Sequence, residues 1–537
     1  MLDPRVEVVT DSVGEATRVV CDRGKARIGR ESHGRHPRQR RRQRHPGFVS
    51  PGSRVRSRLT SRRAPRRDLR ALHDLYYQPD GCWFGDCMPL CKDGVFYLFH
   101  QRDTRKPGPF GEPFGWALAR TTDFVSYDDL GEVLERGGDD DQDQFIFAGS
   151  VFEADRTFYA MYTGYNRDFK ARGKASQVLM VATSPDLTTW TKTGQELVVP
   201  QPGYDPDDWR DPFVLWDDDT QRYVMILGAR KVDGEKILTG RTVSFSSTDL
   251  RAWTFEGDFW APGLYSMHEM PDLFRMGDYW YLLTTEYSDK SKTVYRMSRS
   301  LDGPWVAPAD DAFDGRAYYA ARSAAHGDQR YLFGWVPTKE DCDERRSWQW
   351  GGTLVVHEIM QRDDGSLGVV PPAGVVAAFS DPVTLPHALM TLQTSDSLAE
   401  CVLAEESGEV FAFETTVRFT AGTRAFSLRL YEDKATGDGY EYRFSIPENR
   451  VSFDRRPNYP WYRYDNKGLE RPITLTPERD YTITVIVDNS IATLYVDGVA
   501  LNARAYDRPG RTIALDVIDG ALEISRAEIR KGLRQTS

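Results

Sequence analysis

From about residue 75 to residue 370 the chain runs in short aromatic and aliphatic stretches broken by Asp-Gly and Gly-Asp pairs, with almost no helical periodicity. That pattern predicts short β-strands joined by tight turns. A turn followed by Tyr and an apolar strand recurs five times, at Asp93-Gly94 before Tyr97, Asp155-Arg156 before Tyr159, Thr220-Gln221 before Tyr223, Gly277-Asp278 before Tyr281 and Gly327-Asp328 before Tyr331. A second marker keeps step with it: Thr122-Asp123-Phe124 then Tyr127, Pro185-Asp186-Leu187 then Trp190, Thr248-Asp249-Leu250 then Trp253, and Ser300-Leu301-Asp302 then Trp305. A unit of some 50 to 65 residues with about four strands, repeated five times, predicts an all-β, five-bladed β-propeller, because each small sheet buries its faces only against its neighbours. A β-sandwich with decorated loops accounts for the strands but not for two markers in step. Trp190, Trp253 and Trp305 recur with the unit and are expected to pack between blades.

After Pro371-Pro372 and the stretch around Pro382 and Pro386, a second β-rich region is expected near residue 398. Alternation in Phe411–Phe419, and the pair Tyr481–Val487 and Ile491–Val496 around Asp488-Asn489-Ser490, give strands with one wet face, so a C-terminal β-sandwich follows. The expected organisation is a propeller over 71–380 and a sandwich over 395–535.

Charge divides the chain differently. The net charge of −10 over 537 residues conceals a basic segment, residues 1–70, with 20 Arg or Lys against 7 Asp or Glu, so the remainder carries −23. Few aromatics and no apolar period predict a disordered leader there. Such a tract could neutralise phosphates, but the acidic remainder competes for it in cis, and an Arg-rich translation of a GC-rich leader looks the same. The reading adopted is a leader without function and no nucleic-acid partner. The next methionine after Met1 is Met88, so a shorter product would need another start codon. No apolar run reaches the roughly 18 to 20 residues of a membrane span, and no signal-peptide core follows the N-terminus. Six unevenly placed cysteines make no disulfide framework, which favours a cytoplasmic setting. Cys82, Cys87 and Cys91 lack paired zinc spacing and read as free thiols. Neither a metal nor a cofactor is expected.

In a propeller the innermost strand of each blade lines a central channel, where polar residues from distant parts of the chain converge. Nine to twelve residues before the marker Tyr stand Asp86 in blade one, Gly149 and Ser150 in blade two, Asp211 in blade three and Glu269 in blade four. One acid here reads as a turn or strand-edge residue satisfied by backbone amides; three in register point to chemistry. Acids crowded at one end of a channel repel one another and lose hydration, which raises at least one pKa. Cleavage of a glycosidic bond uses such a contrast, one carboxyl protonated to give a proton to the leaving oxygen and a second ionised to attack or to activate water. His268, beside Glu269, reads as a packed neutral ring.

At these residues the chain resembles glycoside hydrolase family 32, the invertase, inulinase and levanase group. That family carries its nucleophile in Trp-x-Asn-Asp-Pro-Asn-Gly; here Trp83-Phe84-Gly85-Asp86-Cys87-Met88-Pro89 leads to Tyr97-Leu98-Phe99-His100-Gln101. Arg210-Asp211-Pro212 is intact, and Glu269-Met270-Pro271-Asp272 stands for Glu-Cys-Pro-Asp. Weaker echoes are Phe147-Ala148-Gly149-Ser150, Phe313-Asp314-Gly315 with Tyr318-Tyr319-Ala320-Ala321, and Trp350-Gly351-Gly352. The resemblance implies a retaining reaction on β-fructofuranosides, with Asp86 as nucleophile, Glu269 as acid/base and Asp211 as transition-state stabiliser. It also implies Trp83, Gln101, Trp116, Phe147, Ser150 and Arg210 as residues lining the sugar pocket, and a carboxylate separation of about 5 to 5.5 Å.

Gly85 in place of Asn, Cys87-Met88 in place of Pro-Asn and Met270 in place of Cys each remove a polar or positioning contact. An unusual fructoside, a difructose or a fructan oligomer, handled by hydrolysis or transfer, therefore fits as well as sucrose. Trp116, Trp335 and Trp350 could stack on sugar rings. The alternatives are an inverting arabinofuranosidase on the same propeller, with carboxyls about 6.5 to 9.5 Å apart, and a carbohydrate-binding propeller without turnover. The expected partner is a sugar or oligosaccharide, with no membrane; the sandwich could support a homo-oligomer.

Overall fold

The computed structural model describes residues 73–108, 110–460 and 462–534. The segment expected to be a basic leader, residues 1–70, lies outside them. The five marker hairpins join the innermost and second strands of five antiparallel sheets: Trp83–Lys92 with Val95–Asp103, Phe145–Ala154 with Thr157–Tyr165, Tyr204–Asp217 with Arg222–Lys231, Glu269–Met276 with Tyr279–Glu286, and Tyr319–His326 with Gln329–Lys339. Asp93 and Gly94, and likewise Asp155 and Arg156, hold positive φ, as a two-residue type I′ hairpin requires. The ring closes where Trp348–Gln361, the third strand of blade five, meets the first strand of blade one, Phe84 opposite Gly352. The molecule is a five-bladed propeller followed by a β-sandwich.

The second marker is a turn between the third and fourth strands. In blade one Asp123 Oδ1 accepts the amides of Val125 and Ser126, Thr121 Oγ1 accepts that of Phe124, and Phe124 takes φ 62°. Asp186 with Ser184, and Asp249 with Ser247, repeat this in blades two and three. The aromatic that follows each marker packs as expected where ring contacts exist: Trp190 meets Phe99 of blade one edge-on at 5.6 Å, and Trp305 lies 5.6 Å from Phe259 of blade three. Blade four carries only the degenerate Ser300-Leu301-Asp302 and has three regular strands rather than four. Its outer edge is reduced to the single bridges Met297–Val306 and Val294–Ala312.

Each innermost strand slips register against its neighbour at the same level. The breaks lie between Phe84 and Cys87, Phe147 and Gly149, Arg210 and Phe213, Glu269 and Asp272, and Tyr319 and Arg322. A bulge bends a strand and re-aims the side chain at the extra residue. Asp211, Met270 and Ala320 within these breaks hold φ of 65°, 49° and 55°. The five bulges form one collar around the channel.

The sandwich begins earlier than expected, since Val383–Thr384 and Met390–Ala404 already pair with the last strand, Thr512–Lys531. That 20-residue strand bends at Asp519-Gly520 and pairs with Ala425–Glu432 on one side of the bend and Val410–Phe419 on the other, linking the two layers. Buried polar groups fasten it to the propeller. Asp314 accepts from the Asn502 amide at 2.8 Å and its Nδ2 at 2.7 Å, and Arg504 donates to the carbonyls of Val336 and Pro337. Asp488 accepts the amides of Asp74, Leu75 and Tyr76.

Candidate active site

Three carboxylates meet at the collar. Asp86, Asp211 and Glu269 are 8%, 2% and 5% exposed, so all three side chains turn inward from different blades. Arg210, itself buried, donates from Nη2 to Glu269 Oε1 at 2.7 Å and from Nη1 to Asp208 at 2.8 Å, and its Nε lies 3.8 Å from Asp211. The Met270 amide donates to Asp211 Oδ2 at 3.0 Å, and the Asp211 amide donates to Thr163 at 2.9 Å. Blades two, three and four thus hold one another in place through the site.

Blade five supplies groups that the sequence reading did not assign to the carboxylates. Tyr319 donates to Glu269 Oε2 at 2.5 Å, and Trp335 Nε1 donates to Asp86 Oδ1 at 3.1 Å. Arg322, 1% exposed, donates to the carbonyls of Gly149 and Asp211 and sits beneath the acids. Arg230 pairs with Asp208 at 2.7 Å and donates to Tyr287. Tyr319 lies in a quoted motif and Trp335 was a stacking candidate; Arg322 carries no local signal, because its partners are carbonyls of blades two and three, and Arg230, on the second strand of blade three, pairs with Asp208 of its own blade and with Tyr287 of blade four.

Asp86, Asp211, Glu269 and Asp272 lie buried in this cluster with the half-buried Asp208 beside them, among the guanidiniums of Arg210, Arg230 and Arg322, and Arg330 near Asp272. Unpaired charge in such surroundings is relieved by holding a proton. Burial, with Asp211 and Glu269 nearby, pushes Asp86 up to about 8 against the pull of Trp335 and Arg322. Burial also raises Asp211. For Glu269 burial acts upward, while Arg210 and the Tyr319 hydroxyl act downward. His268 is buried and held neutral, its pKa lowered by burial to about 3; Thr242 and the Leu264 carbonyl occupy its two nitrogens.

The pocket candidates divide. Gln101, 2% exposed, packs beside Gly85. Phe147 stacks on Tyr165 at 4.4 Å and meets Phe110 edge-on, and Phe110 in turn reaches Trp350, so Phe110 is an aromatic of this mouth that no motif announced. Trp83 lies at the rim under the Arg105 guanidinium, 4.1 Å from its ring centre. Trp116 and Ser150 are not brought to the acids. Trp116 is fully buried between blades one and two, donating to the Phe147 carbonyl and packing on Phe99 and Tyr162. Ser150 lies beyond the bulge, in a cavity of about 200 Å³ lined also by Met88, Cys91, Phe213 and Arg322, farther along the innermost strands. One extra residue in the strand separates it from the site. The cysteines near Asp86 are free thiols, Cys82 and Cys87 buried.

Residues 76–371 match the glycosyl hydrolases family 32 N-terminal domain. Raffinose invertase of Escherichia coli is 27% identical over 458 residues, covering 80% of this chain and 88% of that protein. Levanase of Bacillus subtilis is 29% identical over 212 residues, covering 37% of this chain and 28% of its own. Sucrose-6-phosphate hydrolase from Lactobacillus gasseri superposes with a TM-score of 0.69 at 18% identity, covering 86% of this chain and 93% of that one. Fructan 1-exohydrolase IIa from Cichorium intybus does so with 0.69 at 16%, covering 87% and 98%. With a family match spanning more than half of its residues, two domains in the matching order and acids from three blades at one collar, the chain belongs to glycoside hydrolase family 32.

Proposed function

We propose that this protein cleaves β-fructofuranosides by a two-step, retaining reaction, with Asp86 as nucleophile, Glu269 as acid/base and Asp211 as transition-state stabiliser. The observation that carries it is the convergence of these buried acids, with Arg210 paired to Glu269 and beside Asp211, and Asp86 close enough to both acids to feel their charge. The fold neighbours include a Cichorium intybus enzyme variant in complex with 1-kestose and a Bombyx mori enzyme variant in complex with sucrose. Those names support a fructosyl unit in the pocket; the arabinofuranosidase and inactive-propeller alternatives gain no comparable support.

In the first step an Asp86 oxygen bonds to the anomeric carbon while the carbon–oxygen bond to the leaving group breaks and Glu269 gives that oxygen its proton. Asp211 faces the ring, where a carboxylate gains strength as positive charge develops. In the second step Glu269 takes a proton from water, the water oxygen bonds to the anomeric carbon and the ester to Asp86 breaks. The chemistry needs Asp86 ionised and Glu269 protonated, which is the same proton count as Asp86 protonated and Glu269 paired with Arg210.

The test is proton NMR of the first sugar released from sucrose or a short fructan. Release of the β-anomer, together with a D86A loss of about 10⁴-fold or more in kcat, supports the reading. Release of the α-anomer, or a D86A enzyme with undiminished turnover, overturns it.

A further inference from the structure

The family's side chain before the nucleophile is missing here, and the space is not empty. A Cβ added to Gly85 would stand 2.4 Å from Cη2 and 3.0 Å from Cζ3 of Trp350, and 3.0 Å from Gln101 Cβ. Real Cβ atoms do not make the first of these contacts, so any side chain at position 85 must displace the indole. Gly85 shows no left-handed φ; the requirement for glycine is one of space.

The indole is aimed there by the backbone. Along Trp348–Gln361, Gly352 pairs with Pro337 and Gln349 with Thr338, leaving Trp350 and Gly351 as extra residues in a bulge. Gly351 takes φ 74°, and a Cβ on Gly352 would lie 1.8 Å from the Val336 carbonyl oxygen, so Trp350-Gly351-Gly352 is the sequence this bulge demands. The ring then meets Trp335 at 5.5 Å and Phe110 at 5.9 Å, both edge-on. Trp335 is the donor to Asp86, so Trp350 stands one contact from the nucleophile and directly over the residue preceding it. Trp350 remains partly exposed, unlike Trp335 at 3%.

We infer that Gly85 and Trp350 form a coupled specificity pair, in which the indole supplies an apolar wall on the nucleophile side of the sugar pocket, where a side chain at 85 would otherwise face the substrate. The inference rests on the fructosidase reading above. A furanoside is held at this wall by its carbon-bound hydrogens against the ring, without a hydrogen bond from position 85. The pair selects substrates through contact area and shape there, and Trp350 contributes to binding in the ground state.

The experiment is a double-mutant cycle on G85N, W350A and G85N/W350A, with W350F as the conservative control, measured as kcat and KM on sucrose beside D86A. The expected W350A effect is a rise of about tenfold in KM with kcat little changed, the scale of one aromatic contact, and W350F restores most of it. G85N alone is expected to lose at least ~100-fold in kcat/KM, and the double variant to recover to within about tenfold of W350A, because the amide then occupies the vacated space. Effects of G85N and W350A that simply multiply, or a G85N enzyme as active as the parent, overturn the pair. If G85N does not fold, the W350A and W350F KM values decide: an unchanged KM in W350A overturns the wall. Residual turnover in D86A points to failure of the fructosidase reading itself; a dead D86A with multiplying effects sinks only the pair.

Discussion

Asp86 carries the largest electrostatic burden among the three converging acids, and its stability consequence has a definite sign. Its folded pKa, pushed up to about 8 by burial and by Asp211 and Glu269, lies above the ordinary carboxylate value near 3.9. The folded chain therefore binds a proton more tightly than the unfolded chain, and this group removes stability as pH rises from about 4 to about 8. D86N, neutral and similar in shape, should unfold at a higher temperature than the parent at pH 7, with the gap closing toward pH 4. Parallel melting temperatures across that range, measured by calorimetry, would contradict the assignment. With the role proposed for Asp86, activity and stability trade at this residue. The three acids were legible in sequence because each keeps nearly the same offset from a repeated Tyr. Ser150 falls away from the acids because a one-residue bulge reverses which way a strand residue faces, and Trp116 because it stands on the third strand of blade one, where its indole packs between blades. Arg322 was invisible because nothing local distinguishes a buried arginine bonded to carbonyls of other blades.

At the level of the element, the five collar bulges convert a repeated hairpin into a site. The hairpins were readable from their turns, since Asp-Gly and its equivalents have a backbone reason to be there. The bulges were not, because an extra residue leaves the apolar pattern on both sides intact. Gly149 shows how tightly the collar is built: an added Cβ would lie 1.9 Å from the Met161 carbonyl oxygen, and the Gly149 carbonyl receives Arg322. Gly149→Ala should therefore cost roughly 1–3 kcal/mol in urea unfolding and lower kcat along with it. A variant with unchanged midpoint and activity would show that the collar yields at blade two. The missing fourth strand of blade four follows from the same local chemistry, since its degenerate turn marker lacks the Asp that accepts two amides in blades one to three.

Across the whole molecule, propeller and sandwich are joined by one continuous core that includes Phe333 and Val355 from blade five and Leu494 and Leu501 from the sandwich. Asp314, Arg504 and Asp488 add buried polar ties. The two-domain order was evident from the turn markers and the alternating strands; the shared core was not, because contacts between distant segments leave no periodic trace. Held this way, the collar brings together Asp86 from blade one and Glu269 from blade four, and the proposed reaction places a single furanose ring between them. Mass spectrometry of the E269Q enzyme mixed rapidly with an activated aryl β-fructofuranoside, whose departure needs no proton, tests that arrangement most directly. The account predicts one added fructosyl unit on the peptide containing Asp86, absent in D86N/E269Q. Turnover with inversion and no adduct, or an adduct on any other residue, would contradict it.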